Sequence, residues 1–212
     1  MKLKRNDRIL FIGDSVTEAG RNISDDLDLG KGYPLLVGSE LFRKYPDYHF
    51  SFINRGVGGN KIRDLVDRWE VDCLNLKPDI VSILIGINDT WHNIDSDIFG
   101  TEAEFENFES DYRFLLKQVL QRTDARVILI DPFVLAYPKD RSSWRKDLDP
   151  RIQIVRKMAR EYQTDYIPLD ALLNKTGLSY GFKFLTGEDG VHPTLAGHSF
   201  IAQEWLNNCN LN

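Results

Sequence analysis

Short apolar runs, each followed by a loop and then a segment of helical period, recur along this chain and leave few architectures open to it. The runs are Arg8 to Ile12, His49 to Ile53, Ile80 to Ile85, Val127 to Ile130 and Tyr166 to Ile167. The third and fourth are almost continuous Val, Ile and Leu, as in strands buried on both faces of a parallel sheet. Between them, Ile62, Leu65, Val66, Trp69, Cys73 and Leu76 recur at spacings of three and four and share one helical face. Phe105, Phe108, Tyr112, Leu115, Leu116, Val119 and Leu120 do the same, with Thr101 and Glu104 placed as a capping box at the start. Asp149 and Pro150 read as the N-cap and first turn of a further helix, and Ile201 with Trp205 marks a last one. The alternation predicts an α/β fold: three layers, α/β/α, with a five-stranded parallel sheet in the middle. No Gly/Ser-rich or Pro-rich linker interrupts the chain, so residues 1–212 read as one domain.

Charge and composition exclude several function classes. The 32 Asp and Glu outnumber the 27 Lys and Arg, for a net charge of −5. A nucleic-acid binder needs the opposite sign to neutralise phosphates. The longest strongly apolar run, Ile80 to Ile87, is far short of the ~20 residues that span a bilayer. The basic start (MKLKRNDR) leads into a strand rather than into the apolar core of a secretion signal. Cys73 and Cys209 do not make a disulfide framework. His49, His92, His192 and His198 lack the spacing of a metal site. These features predict a cytoplasmic protein that uses neither metal nor cofactor and has no nucleic-acid partner.

In a doubly wound sheet, ligands meet the carboxyl ends of the strands, so the loops that follow the strands matter most. After the first strand come Gly13, Asp14, Ser15 and Val16, with Ser15 at a helix start that favours negative charge nearby. After the second come Gly56, Gly58 and Gly59, whose backbone N–H groups can approach a ligand closely. After the third, Asn88 offers a side-chain amide. Near the end of the chain, Asp189 precedes His192 by three residues, so its carboxylate can hold one ring nitrogen and leave the other free. Each feature alone also suits a cap, a turn or a solvated loop. Together they supply a nucleophile, a base, an orienting acid and oxyanion donors, the set that acyl transfer requires.

These residues, in this order, resemble the SGNH (GDSL-type) hydrolase superfamily over Ile9 to about Leu206. The resemblance implies a flavodoxin-like sandwich and a serine esterase. It makes Ser15 the nucleophile, His192 the base and Asp189 its orienting acid, with no cofactor. The oxyanion hole would be the N–H of Ser15, the N–H of Gly59 and the side chain of Asn88, with Gly58 competing for the second place. The first motif reads Gly-Asp-Ser-Val here, one apolar residue exchanged for another.

A narrower likeness runs through LFIGDSVTEAGR, RDLVDRW, GINDTW and VHPTLAGH to the intracellular bacterial acetyl xylan esterases of that superfamily. It implies acetylated xylo-oligosaccharides as substrate and a homo-oligomer. Asp14, Trp91, His92, Phe182 and Phe184 are the candidate substrate-contacting residues, the aromatic rings suiting sugar faces and a shallow acyl pocket. A lysophospholipase, thioesterase or general short-chain carboxylesterase would share the chemistry. A non-catalytic flavodoxin-like binding module would keep the sheet without the reactive set.

Overall fold

Ile9, Leu10, Phe11 and Ile12 are all fully buried, and a strand this apolar on both sides must lie in the middle of a sheet. The computed structural model describes residues 1–211 and puts them there. In chain order the elements are β1 (Lys2–Leu3), β2 (Arg8–Gly13), α1 (Ser15–Glu18), α2 (Tyr33–Lys44), β3 (Ser51–Gly56), α3 (Ile62–Asp72), β4 (Ile80–Leu84) and α4 (Ile87–Trp91). There follow α5 (Glu102–Arg122), β5 (Arg126–Ile130), α6 (Arg145–Tyr162), β6 (Asp165–Ile167), α7 (Leu169–Tyr180), α8 (Phe182–Leu185), α9 (Leu195–Asn207) and β7 (Asn210–Leu211). Strands β3-β2-β4-β5-β6 form one parallel five-stranded sheet in that order. The three-layer α/β/α expectation holds. A small parallel pair of β1 with β7 lies outside it.

Each sheet face carries its own core. On one, Phe11, Ile128 and Ile130 pack with Val37 and Leu41 of α2, Leu173 of α7 and Ile201 and Trp205 of α9. On the other, Leu10, Ile12 and Ile83 meet Leu65 and Trp69 of α3, Leu115 and Val119 of α5, and Val155 and Met158 of α6. Truncating one such residue, Leu115→Ala for example, costs about 2–5 kcal/mol because the cavity refills only partly.

Three local expectations are corrected. The second strand runs from Ser51 to Gly56, beyond the apolar run, because β2 pairs with it through Gly13 and Gly56. His49 lies in a left-handed turn before it (φ 53). Asn54 and Arg55 are tolerated inside because they find partners: the Asn54 amide donates to Thr17 O (2.7 Å) and Leu29 O (2.9 Å). At the start of α5 the Thr101 hydroxyl donates backwards to Ile98 O (2.9 Å), so no capping box forms. Helix α6 begins at Arg145, continuing a 3₁₀ turn, which leaves Pro150 inside it and Asp149 paired with Arg145 (2.6 Å).

From β2 the chain steps to β3 on one side, then crosses back to β4 on the other. The carboxyl end of β2 is therefore the topological switch point, where two outgoing loops part and leave a crevice.

Candidate active site

Ser15 opens α1 directly beyond that switch point. Asp14 is the N-cap: its buried carboxylate accepts the Val16 N–H at 3.0 Å. The single turn of α1 lies so close to β3 that a side-chain carbon on Gly56 would fall 2.1 Å from Glu18 N. Only glycine fits, and that contact fixes how Ser15 is presented.

Ser15 Oγ is 2.9 Å from His192 Nε2, and His192 Nδ1 is 2.6 Å from Asp189 Oδ2. Because Nδ1 faces a carboxylate it carries the proton, which leaves Nε2 of the neutral ring to accept from the serine hydroxyl. Asp189 Oδ1 also accepts the N–H groups of Val191 and His192, both at 2.8 Å, so one carboxylate shapes the loop and orients the ring. Burial pushes the Asp189 carboxyl up. The bonds from the His192 ring and the two amides outweigh that and hold it below its ordinary value. A hydroxyl, an imidazole and a carboxylate joined in this way can pass a proton from oxygen to nitrogen as the oxygen attacks an electrophile.

Two amide groups border the same place. Residues Val57–Asn60 form a turn closed by Asn60 N–H to Val57 O (3.3 Å), with Gly59 at φ +78, the type II form that selects glycine. Glu18 takes the Gly58 N–H through its carboxylate, whereas the Gly59 N–H has no protein acceptor among the described residues. Asn88 is buried in α4, and its amide nitrogen donates to Asn60 O at 3.1 Å, which leaves a second N–H on the same nitrogen. Asp89, beside it, accepts the Ile62 N–H at 3.1 Å and so ties α4 to the start of α3. Arg68 laces the loops from behind, donating to Gly13 O (3.1 Å), Arg55 O (2.8 Å) and Asn60 Oδ1 (2.9 Å).

The Trp91 ring lies 5.8 Å from the His192 ring and 5.2 Å from Trp144, which is buried behind it. Arg141 stacks on Trp144 at 4.2 Å and donates from Nε to Asp189 O at 2.8 Å, bracing the histidine loop. An open cavity of about 440 Å³ adjoins Ser15 and His192, bordered also by Glu18, Lys31 and His198. His198 acts as a cap: its Nδ1 accepts the Tyr33 N–H at the start of α2 (3.2 Å). Burial, helped by the charge of His192, pushes its pKa down to about 4.

The structure thus brings Ser15, Gly59, Asn88, Asp189 and His192 to one sheet edge, with Trp91 against His192. His92 is exposed, and a side-chain carbon on Gly59 would stand 3.9 Å from its ring. None of the five candidate substrate-contacting residues lines that cavity; Trp91 and His92 stand beside His192 and Gly59, and the other three are engaged elsewhere. Asp14 is 1% exposed and spent on its cap. Phe182 folds α8 back onto α7, its ring filling the space that Gly177 leaves. Phe184 stands 6.4 Å from Tyr180 on the outer side of that corner. Sequence reading missed Glu18, Arg68 and Arg141. For Glu18 a signal existed, since it lies three residues from Ser15 on the same helical turn.

Residues 11–200 match the model of the GDSL-like lipase/acylhydrolase family. An acetylxylan esterase of Geobacillus stearothermophilus is 32% identical over 213 residues, spanning 97% of this chain and 95% of that one. Among solved structures, a single-residue variant of Axe2, an acetyl xylan esterase from the same organism, superposes with a TM-score of 0.87 at 31% identity, covering 98% of this chain and 96% of its own. LAE5, an alpha/beta hydrolase enzyme from the metagenome of Lake Arreo, Spain, gives 0.87 at 28% identity, with 97% and 96% covered.

Proposed function

We propose that this chain, which belongs to the GDSL-like lipase/acylhydrolase family and is a carboxylic ester hydrolase, removes acetyl groups from O-acetylated carbohydrates, xylo-oligosaccharides in particular. The observation that carries the mechanism is the relay from Ser15 Oγ through His192 to Asp189, at 2.9 and 2.6 Å. Ser15 Oγ attacks the ester carbonyl carbon and gives its proton to His192 Nε2. The carbonyl oxygen becomes an oxyanion, held by the N–H groups of Ser15 and Gly59 and by the Asn88 amide. Collapse breaks the bond to the sugar oxygen, which leaves with the proton from His192, and the acyl group stays on Ser15. Water then repeats the sequence: it loses a proton to His192, attacks the acyl carbon and releases acetate as Ser15 regains its hydrogen. Asp189 stays ionised throughout and steadies the imidazolium.

Gly59 rather than Gly58 is the second donor in this reading, because Glu18 already occupies the Gly58 N–H. The acetylxylan esterase relative supports the acetyl and sugar assignment, and Trp91 beside His192 supplies an aromatic face for a sugar ring. Further parts of the proposal are that residues 1–212 are one domain, that it acts in the cytoplasm on imported oligosaccharides, and that it forms a homo-oligomer. No helix among the described residues is long and apolar enough to cross a membrane.

The test is an acyl-length series on xylo-oligosaccharide and aryl esters. Each methylene a pocket rejects changes discrimination by ~1–3 kcal/mol, so kcat/KM should fall at least about tenfold from acetyl to butyryl. Acetylated xylo-oligosaccharide should also outperform aryl acetate once intrinsic ester reactivity is allowed for. Preference for octanoyl or longer esters would overturn the carbohydrate reading in favour of a lysophospholipase or thioesterase.

A further inference from the structure

We propose that Glu18 is a positioning residue for the oxyanion hole, locking the Gly58–Gly59 turn to the helix that carries Ser15. The inference rests on the reading above, in which Ser15 attacks and Gly59 donates. Four observations lead to it. Glu18 and Ser15 are the last and first residues of the one-turn helix α1, so whatever Glu18 holds is held in register with Ser15. The Glu18 carboxylate accepts the Gly58 N–H, forty positions along the chain. The same spot lies beside the nucleophile: a side-chain carbon on Gly58 would stand 3.0 Å from Glu18 Oε2 and 3.8 Å from Ser15 Cβ. Lastly, Glu18 borders the open cavity with Ser15 and His192.

The turn needs such a hold. Two adjacent glycines put little steric restraint on the peptide between them, so type I and type II forms of Val57–Asn60 differ little in intrinsic energy. The two forms aim the central N–H, that of Gly59, in opposite directions. Only one can present it to an oxyanion at Ser15. An anchor at Gly58 from the nucleophile's own helix fixes where the turn stands relative to Ser15, and with it where the Gly59 N–H of the observed form lies. Electrostatics alone gives no reason for this residue. A carboxylate close to a developing oxyanion raises the energy of the transition state, so its presence calls for a compensating role. Arg21, buried with its Nε on Gly56 O (3.1 Å), supplies opposite charge nearby and eases the cost of holding Glu18 there.

The role separates from charge and from substrate binding by two substitutions. Glu18→Ala removes the acceptor and frees the turn. Glu18→Gln removes the charge but keeps an oxygen that can accept from Gly58. A donor misplaced by about 1 Å costs up to ~10²-fold, so kcat in Glu18→Ala should fall ~10- to 100-fold with KM little changed. Affinity for a boronic acid that forms a tetrahedral adduct on serine should fall in parallel, while affinity for the released oligosaccharide should not. Glu18→Gln should restore kcat to within about threefold of the parent. Thermal denaturation of both variants establishes that they fold.

Full turnover in Glu18→Ala would overturn the proposal, as would equal losses in Glu18→Ala and Glu18→Gln, which would make the charge the operative feature. A defect confined to KM would also overturn it and make Glu18 a substrate contact. Ser15→Ala, measured alongside, tests the underlying reading separately. Inactive Ser15→Ala with fully active Glu18→Ala overturns the role of Glu18 alone, whereas active Ser15→Ala overturns the nucleophile assignment and the role of Glu18 with it.

Discussion

Ser15 Oγ and His192 Nε2 stand 2.9 Å apart although 177 positions separate them in the chain. The contact is made by the sheet: β2 delivers Ser15 at its carboxyl end, and the loop between α8 and α9 returns to the same edge. If the two groups act as one unit, Ser15→Ala and His192→Ala should each remove most activity, and the double variant should be little worse than either. Steady-state rates on an aryl acetate check this. Losses that multiply in the double variant would mean that the two act independently.

Asn88 is held by Asn60 O at 3.1 Å and keeps one amide hydrogen for a ligand. In the mechanism proposed above, replacing it by alanine removes one of three oxyanion donors. The expected result is a fall in kcat of ~10²–10³-fold, or about 2.7–4 kcal/mol, with KM nearly unchanged. Turnover close to that of the parent protein would remove Asn88 from the mechanism.

How much of this was legible beforehand depended on whether the signal was local. Strand β4 and the loop bearing Asn88 were readable because an apolar run and a strand-end asparagine lie within a few residues of each other. The start of α6 is masked in the sequence because Asp149 and Pro150 imitate a helix beginning, whereas the helix already starts at Arg145, continuing a 3₁₀ turn. The end of strand β3 is hidden in the sequence because Asn54 and Arg55 look like loop residues until Thr17, Leu29 and Asp26 supply their partners. Arg68 and Arg141 were invisible as supports, since each acts on backbone carbonyls far along the chain: Gly13 for one, Asp189 for the other. Phe182 carried the right chemistry for a sugar but was claimed by the gap over Gly177.

Gly190 separates Asp189 from the histidine loop that it shapes. Its φ is +76, and a side-chain carbon there would lie 2.1 Å from Tyr137 O. Gly190→Ala therefore meets both backbone strain and a clash with a carbonyl, of order 1–3 kcal/mol for the strain alone. The denaturation midpoint should fall modestly, while kcat should fall much further, because Val191 N–H and His192 shift away from Asp189. A variant that lost stability but kept its kcat would show that the loop geometry is not what sustains the relay.

His198 gives a dependence of stability on pH with a defined sign. Its ordinary pKa is 6.5, and in the folded protein burial pushes it down to about 4. The unfolded chain therefore binds the proton first, so this group's contribution is full above 6.5 and is lost as the pH falls toward 4. Protonation also turns Nδ1 from an acceptor into a donor, which breaks its bond to the Tyr33 N–H. Burial acts oppositely on Asp14, Asp89 and Asp131, each pushed up from 3.8 to about 7, so their contribution is full below 3.8 and is lost as pH rises toward 7. These opposing slopes hide the histidine in the parent protein but cancel when parent and variant are compared. His198→Gln retains an oxygen that can cap Tyr33 and cannot titrate. Between pH 7 and pH 5 the stability difference should move in favour of the variant by on the order of 2 kcal/mol. Urea denaturation of both proteins at the two pH values measures it, and a difference that stays constant would mean that His198 does not titrate as a buried cap.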